Sequence, residues 1–442
     1  MGMSLPSPAS PVLWKRLLPK FAFAILILLT AAAILAGGWF FAYPTVRAWQ
    51  HTAEAEKALQ SDDLSQAADH LRHAAALQPA DARIRFLLAR TLRRLGEVSA
   101  ARRELAEAAR LGHPRQEVDL ENVLLLAQSG ELDGIEETLQ ALITAGHPET
   151  PLALEALVVG YLTLHDLRNA ERWASYWLTK EPTAWKAWLL RGKAWEQGVQ
   201  LDAALQDYLR AAELKPGDVE ITFRVGEMLR RLDRYSEALP HLRAAAQGKP
   251  DDAAMTLSLA KCLRSLGRTE EALRLLQEWR NQHPETPPEV FALLGRLAAD
   301  LHRTDEALSW LSQAERVSPG DEDTLNTLAV LYRELGQDEE AEKYDARAKD
   351  VHRKIKRIDA LLRALKNDPR NVEIRHEIGW LLVTLGHYDK ALPWLLSALE
   401  QNADHQPTHH ALAEYYEAIG DRETARNHRL AAQGKAKARI ER

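Results

Sequence analysis

Two rhythms of apolar and polar positions divide the chain. Residues 21–43, FAFAILILLTAAAILAGGWFFAY, carry no charge across 23 positions. As a helix this run rises about 34 Å, enough to cross a hydrocarbon core about 30 Å thick. Lys15, Arg16 and Lys20 precede it, Trp39 and Tyr43 stand where interfacial aromatics lie, and Pro44 ends it. The pattern predicts a transmembrane helix over 21–43 behind a short basic tail, residues 1–20. From about residue 48 onward the rhythm changes to amphipathic. Large apolar residues fall three or four apart on one face, and turn residues interrupt at a fixed interval. Gly96 and Gly130 are 34 apart, as are Pro114 and Pro148. Pro182, Pro216, Pro250 and Pro284 keep the same step, and Pro319 follows after one extra residue. A period in this range predicts stacked helical hairpins, each too small to bury its apolar face alone.

Residues recur in phase with the period. One unit carries Trp188, Gly192, Trp195, Ala204, Tyr208, Ala211 and Pro216, with Arg191 in place of an expected Leu. The next carries Val225, Gly226, Leu229, Ala238, Leu242, Ala245 and Pro250, and a later one Phe291, Leu294, Gly295, Ala307, Leu311, Ala314 and Pro319. The pattern resembles the tetratricopeptide repeat. About eleven units begin near residues 48, 82, 116, 151, 185, 219, 253, 288, 322, 372 and 406. The first and third are weak, with His51 and Glu54, and Ile135 and Leu142, on positions that usually hold other residue types. The fold expected is all-α, a right-handed α-solenoid preceded by one transmembrane helix. Its parts are an array of about nine repeats over 48–348, a long linking helix or degenerate repeat over 349–369, two further repeats over 370–434, and a basic tail, 435–442.

The resemblance also implies where a partner docks. In tetratricopeptide proteins a stripe on the first helix of each unit, at positions 2, 5, 9 and 12, lines a concave groove. In the second repeat that stripe reads Arg83, Phe86, Arg90 and Arg93, with Arg94 beside them. In later units it includes Lys193, Phe223, Arg230, Lys261, Arg264, Arg296 and Trp380. An extended protein segment is the expected ligand, steered by charge. The Lys and Asn set with which the chaperone-binding subset holds a terminal carboxylate is not reproduced.

Charge and composition narrow the alternatives. The net charge is −6, but residues 1–50 carry +4, which leaves −10 for the rest and argues against nucleic acid as a partner. Cys262 is the sole cysteine, so an internal disulfide, a zinc ribbon, a CxxC redox pair and an N-terminal lipoprotein anchor are all excluded. Trp173, Tyr176 and Trp185 lie off the packing positions and offer a hot spot or sugar platform, or simply pack against the next unit. His405 and His409, in DHQPTHH, have i,i+4 spacing, but Pro407 between them spoils the helix that two metal ligands would need. The basic runs KDVHRKIKR and GKAKARIER read as solvated helix surface. No phosphate loop, dinucleotide fingerprint or nucleophile elbow is present. The expectation is a non-enzymatic scaffold with no cofactor, no metal and no small-molecule substrate, working in assembly of an envelope or secretory complex. Three basic residues and no acid before the span favour a cytoplasmic N-terminus and a periplasmic or lumenal array. The rival readings are a soluble secreted chain after cleavage near Ala31-Ala32-Ala33, and a cytoplasm-facing membrane-bound assembly factor.

Overall fold

The computed structural model describes residues 43–434, which form 22 helices and, among the described residues, no strand. The helices pair in chain order. The first four pairs are α1 (43–60) with α2 (Leu64–Leu77), α3 (Ala82–Leu95) with α4 (Val98–Arg110), α5 (Arg115–Gln128) with α6 (Ile135–Thr144), and α7 (Thr150–Thr163) with α8 (Leu167–Lys180). Then come α9 (Trp185–Gln197) with α10 (Leu201–Leu214), α11 (Val219–Arg231) with α12 (Tyr235–Gly248), and α13 (Ala253–Ser265) with α14 (Thr269–Gln282). The last four are α15 (Pro288–Asp300) with α16 (Thr304–Val317), α17 (Glu322–Glu334) with α18 (Asp338–Leu365), α19 (Val372–Thr384) with α20 (Tyr388–Gln401), and α21 (Gln406–Ala418) with α22 (Arg422–Ala432). α18 runs unbroken for 28 residues, through the stretch 349–365.

Local chemistry sets these boundaries. Asp81, Asp218, Asp252, Asp321 and Asn371 cap first helices by accepting from the backbone N–H groups two or three residues on. The turn inside each hairpin needs one residue in the left-handed region. Gly96 supplies it at φ 84°, but Asp62, His165, Val199, Asp233 and His302 hold the same conformation at φ 55–59°. Val199 is the costly case, because a β-branched side chain crowds its own backbone there.

Close approach within hairpins follows from small residues facing large ones. A Cβ placed on Gly192 would lie 2.6 Å from the Tyr208 ring, and one on Gly379 would lie 2.6 Å from Leu395. Gly226 and Gly295 face Leu242 and Leu311 in the same way. Ala204, Ala211, Ala238, Ala245, Ala307 and Ala314 are buried and complete the seams. Arg191, where the repeat expects Leu, is accommodated by a two-pronged ion pair. Its Nε and Nη2 each donate to Asp207 at 2.8 Å, and its guanidinium lies 4.7 Å from the Trp188 ring centre.

Two compact units divide between Leu125 and Leu126, inside α5. Residues 21–42, and with them nearly all of the expected membrane span, lie outside the described residues, as do the tails 1–20 and 435–442. Among the described residues no helix is long and apolar enough to cross a membrane.

Candidate partner-binding face

In the second unit first helices of successive repeats touch in three groups: α7 with α9, α11 through α13 and α15 to α17 in series, and α19 with α21. Second helices of successive repeats make at most marginal contact. A stack whose first helices are closer together than its second helices must curve with the first helices inside. The inner face of this unit is therefore the face of α7, α9, α11, α13, α15, α17, α19 and α21.

On that face the expected cations are present, but most are matched. Lys193 pairs with Glu220 at 2.8 Å, Arg230 with Glu227 at 2.7 Å, and Arg264 with Asp300 at 2.6 Å. Arg296 pairs with Asp323. The acids come from the same helix or the next first helix along, so the stripe is a ladder of alternating charge. Lys261 is different: no carboxylate of the described residues lies within ion-pairing distance. Burial, followed by the neighbouring Arg230 and Arg296, holds its ammonium below the ordinary lysine range, against the pull of Glu227 and Asp323. Phe223 is half-buried against the core, so it shapes the face more than it offers itself. Trp380 is 40 % exposed, and Val330, at the same position of its own unit, is 49 % exposed. The sequence reading did not single out Val330, although position 9 alone would have found it.

The first unit departs from expectation. Arg93 is fully buried and Phe86 almost so, and neither can meet a partner. Glu121 explains both placements. It is buried on α5 and accepts from Arg93 Nε at 2.5 Å and Arg90 Nε at 3.1 Å, drawing two cations inward. Phe86 stacks on His113 with centroids 4.1 Å apart, beneath the Arg90 guanidinium. Arg83 pairs with Glu56 at 2.6 Å and Arg94 with Asp62 at 2.5 Å. What reads in sequence as a basic stripe is a set of ion pairs, of which only Arg83–Glu56 lies on the surface.

Other candidate groups also resolve into packing. Trp173 Nε1 donates to Glu136 at 3.2 Å, Trp188 Nε1 donates to the Pro182 carbonyl at 2.9 Å, and Lys215 Nζ sits 4.0 Å from the Trp185 ring centre. His405 occupies the N-cap position of α21 without a side-chain bond to its backbone, its Nδ1 2.7 Å from Thr408 Oγ1 and its Nε2 3.1 Å from Glu373. His409 turns elsewhere. Its Nε2 donates to the Ala403 carbonyl at 3.0 Å, so a neutral ring accepts at Nδ1 from His428 Nδ1, 2.9 Å away. Burial, and then His409, pushes the His428 imidazolium down to about 4. Among the described residues no group of three or more His, Cys, Asp or Glu has the geometry to hold a metal ion.

Stacked two-helix hairpins of about 34 residues, with small residues at the hairpin seam and first helices inside, define a helical-repeat binding protein. Comparison with known families gives the same answer. Tetratricopeptide-repeat profiles match residues 58–120 and 229–297, 323–355, and 156–219 and 358–407. The chain is a tetratricopeptide-repeat protein. No curated protein matches its sequence. Among solved structures it is similar to PilW, a type IV pilus biogenesis factor, at 22% identity and TM-score 0.40, covering 45% of this chain and 91% of PilW. It is also similar to YrrB, described as having an unusual peptide-binding site, at 21% identity and TM-score 0.33 over 40% of this chain and 91% of YrrB. A thermophilic tetratricopeptide-repeat protein of Thermus thermophilus shares 21% identity at TM-score 0.33, over 45% of this chain and all of its own. These likenesses concern the fold alone.

Proposed function

We propose that this protein is a membrane-tethered scaffold whose inner face, in the second unit, docks an extended acidic segment of a protein partner. One observation carries the reading. Among the stripe cations of the described residues named above, Lys261 is the one without a carboxylate within ion-pairing distance, and Arg230 and Arg296 flank it from the helices on either side. A partner carboxylate placed there relieves a repulsion that the protein's own acids leave in part unanswered. Val330 and Trp380, further along the face, give such a segment apolar anchor points. The tether is the uncharged run 21–43, with the repeat array outside the cytoplasm, and the task is assembly of a complex at that membrane. No group of residues described above forms a catalytic constellation.

The test is a photo-crosslinking amino acid placed at position 330 or 380 of the full chain in its native membranes, with and without Lys261→Glu. Crosslinked partners that disappear in Lys261→Glu support the inner face as the docking site. Partners retained at full yield overturn it. Alkaline carbonate extraction tests the tether: protein that stays with the membrane supports it, and protein released into solution refutes it.

A further inference from the structure

Within the second unit, residues far apart in sequence meet at one seam. The guanidinium of Arg375, in the first turn of α19, is fully buried. It donates to the carbonyl of Leu164 at 2.5 Å, 211 residues away, as well as to Ser397 Oγ at 3.1 Å and to the Pro369 carbonyl. Lys366 Nζ reaches the Gly198 carbonyl at 3.5 Å, and Arg370 pairs with Asp133 at 2.7 Å. The His165 ring meets Trp394 edge-on at 5.5 Å. The turn that leads into α19 therefore rests on the hairpin turns at 164–166 and 198–200, and the curved stack closes on itself.

The composition of this seam differs from that of a repeat interface. Its ties are hydrogen bonds to carbonyls, an exposed ion pair and a ring contact. Two cavities flank it. One of about 260 Å³ is lined by His165, Asp166, Trp195 and Lys366, and the other, of about 280 Å³, by Leu132, Asp133, Leu164 and Arg370. Interiors are otherwise close-packed, so gaps on both sides forfeit dispersion contacts that would hold the seam shut. Opening it returns the Arg375 guanidinium to water. The hairpins on either side keep their own cores, so nothing else need unfold.

We propose that residues 366–375 are a latch that closes the second unit into one turn, and that this latch gates sideways entry of an extended polypeptide to the inner face. The gating rests on the docking face proposed above, whereas the latch itself does not. A closed turn admits a segment only along its axis. An open one admits it from the side, so seam opening and occupancy of the inner face are linked equilibria.

The experiment uses the full chain in detergent micelles and needs no partner. Hydrogen exchange is followed in peptides covering 160–168, 196–201 and 364–376 for Arg375→Met, Arg370→Asp and the charge reversal Asp133→Arg with Arg370→Asp. Lys261 is labelled in parallel with a small acetylating ester and with a long polyethylene-glycol ester. For Arg375→Met we expect seam exchange to rise about tenfold, with faster labelling of Lys261 by the long ester and unchanged labelling by the small one. Arg370→Asp gives a smaller rise that the charge reversal restores. Unchanged exchange in both single variants overturns the latch. Raised exchange with unchanged long-ester labelling overturns the gate and leaves the docking face as it stood. If Arg375→Met raises exchange throughout 126–434, the Arg370 and Asp133 variants decide the question, because both side chains are solvent-exposed.

Discussion

Replacing Glu121 by Gln removes one negative charge from the interior of the first unit and leaves the volume almost unchanged. The side chains of Glu121 and Arg93 are 1% and 0% exposed, so water cannot answer the guanidinium charge left behind. Removing one member of a buried pair costs about 3–5 kcal/mol. Gln keeps an acceptor oxygen, and Arg90 is partly exposed, so the expected loss is at the lower end, about 3 kcal/mol. The loss should be local, because a repeat array sums near-neighbour terms and a long array has no single two-state free energy. Hydrogen exchange read peptide by peptide is therefore the assay. Amides of α3 and α5 should exchange about 150-fold faster, as 3 kcal/mol implies, while those of α11 to α15 stay as they were. Replacing Arg93 and Glu121 together by Leu should restore protection to within about 1 kcal/mol of the parent, since apolar residues of similar volume often replace a buried pair without loss. A change below tenfold in Glu121→Gln, or one spread evenly along the chain, would refute the argument.

Three more outcomes follow from the same physics. Arg191→Leu restores the residue that the repeat expects but strands the buried Asp207 carboxylate. Exchange in α9 and α10 should rise about 150-fold, as a loss of about 3 kcal/mol implies, with most of it recovered when Asp207→Leu is added. Val199→Gly relieves a left-handed β-branched residue that is 70% exposed and so gives up little packing; exchange in α9 and α10 should slow about two- to fivefold, as a gain of about 0.5–1 kcal/mol implies, and faster exchange would mean that the Val199 side chain matters elsewhere. The folded value for His428, about 4, lies below its ordinary 6.5, so protonation favours unfolding. Its contribution is whole above pH 6.5 and is lost as pH falls towards 4, and exchange in α21 and α22, corrected for intrinsic rates, should rise over that window.

The repeat was legible because its causes are local. A turn that needs one left-handed residue, a cap that needs one acceptor and a seam that needs one small side chain all recur every 34 residues or so. Even the five non-glycine turn residues fall in step with Gly96 and Gly130. The chemistry of the stripe was less legible, because a charge there is read against its neighbours. Arg83 finds Glu56 27 residues back, Arg93 finds Glu121 28 residues on, and Arg264 finds Asp300 36 residues on. Each partner lies about one period away, less or more the few residues that separate neighbouring stripe positions. A search for acids at those offsets would have moved Arg93 from the surface to the core. Phe86 follows from the same correction, since it lies one helical turn before Arg90 and packs under it.

The seam was not legible by any such rule. Its separations, 211 residues for Arg375 to Leu164 and 168 for Lys366 to Gly198, depend on how the small rotation at each repeat accumulates over a turn. No local residue choice fixes that sum. A fully buried arginine in the first turn of a helix, bonded to a carbonyl 211 residues away, is the mark of such a contact in the structure, and Arg375 is that residue. The long helix α18 enters the same sum, because its 28 residues break the period immediately before the chain returns to meet 164–166. Shortening it by one helical turn would rotate and shift everything after it, and the seam contacts should be lost while each hairpin keeps its own core. The break in the period is thus the place where the sequence sets the closure, even though the closure itself cannot be read there.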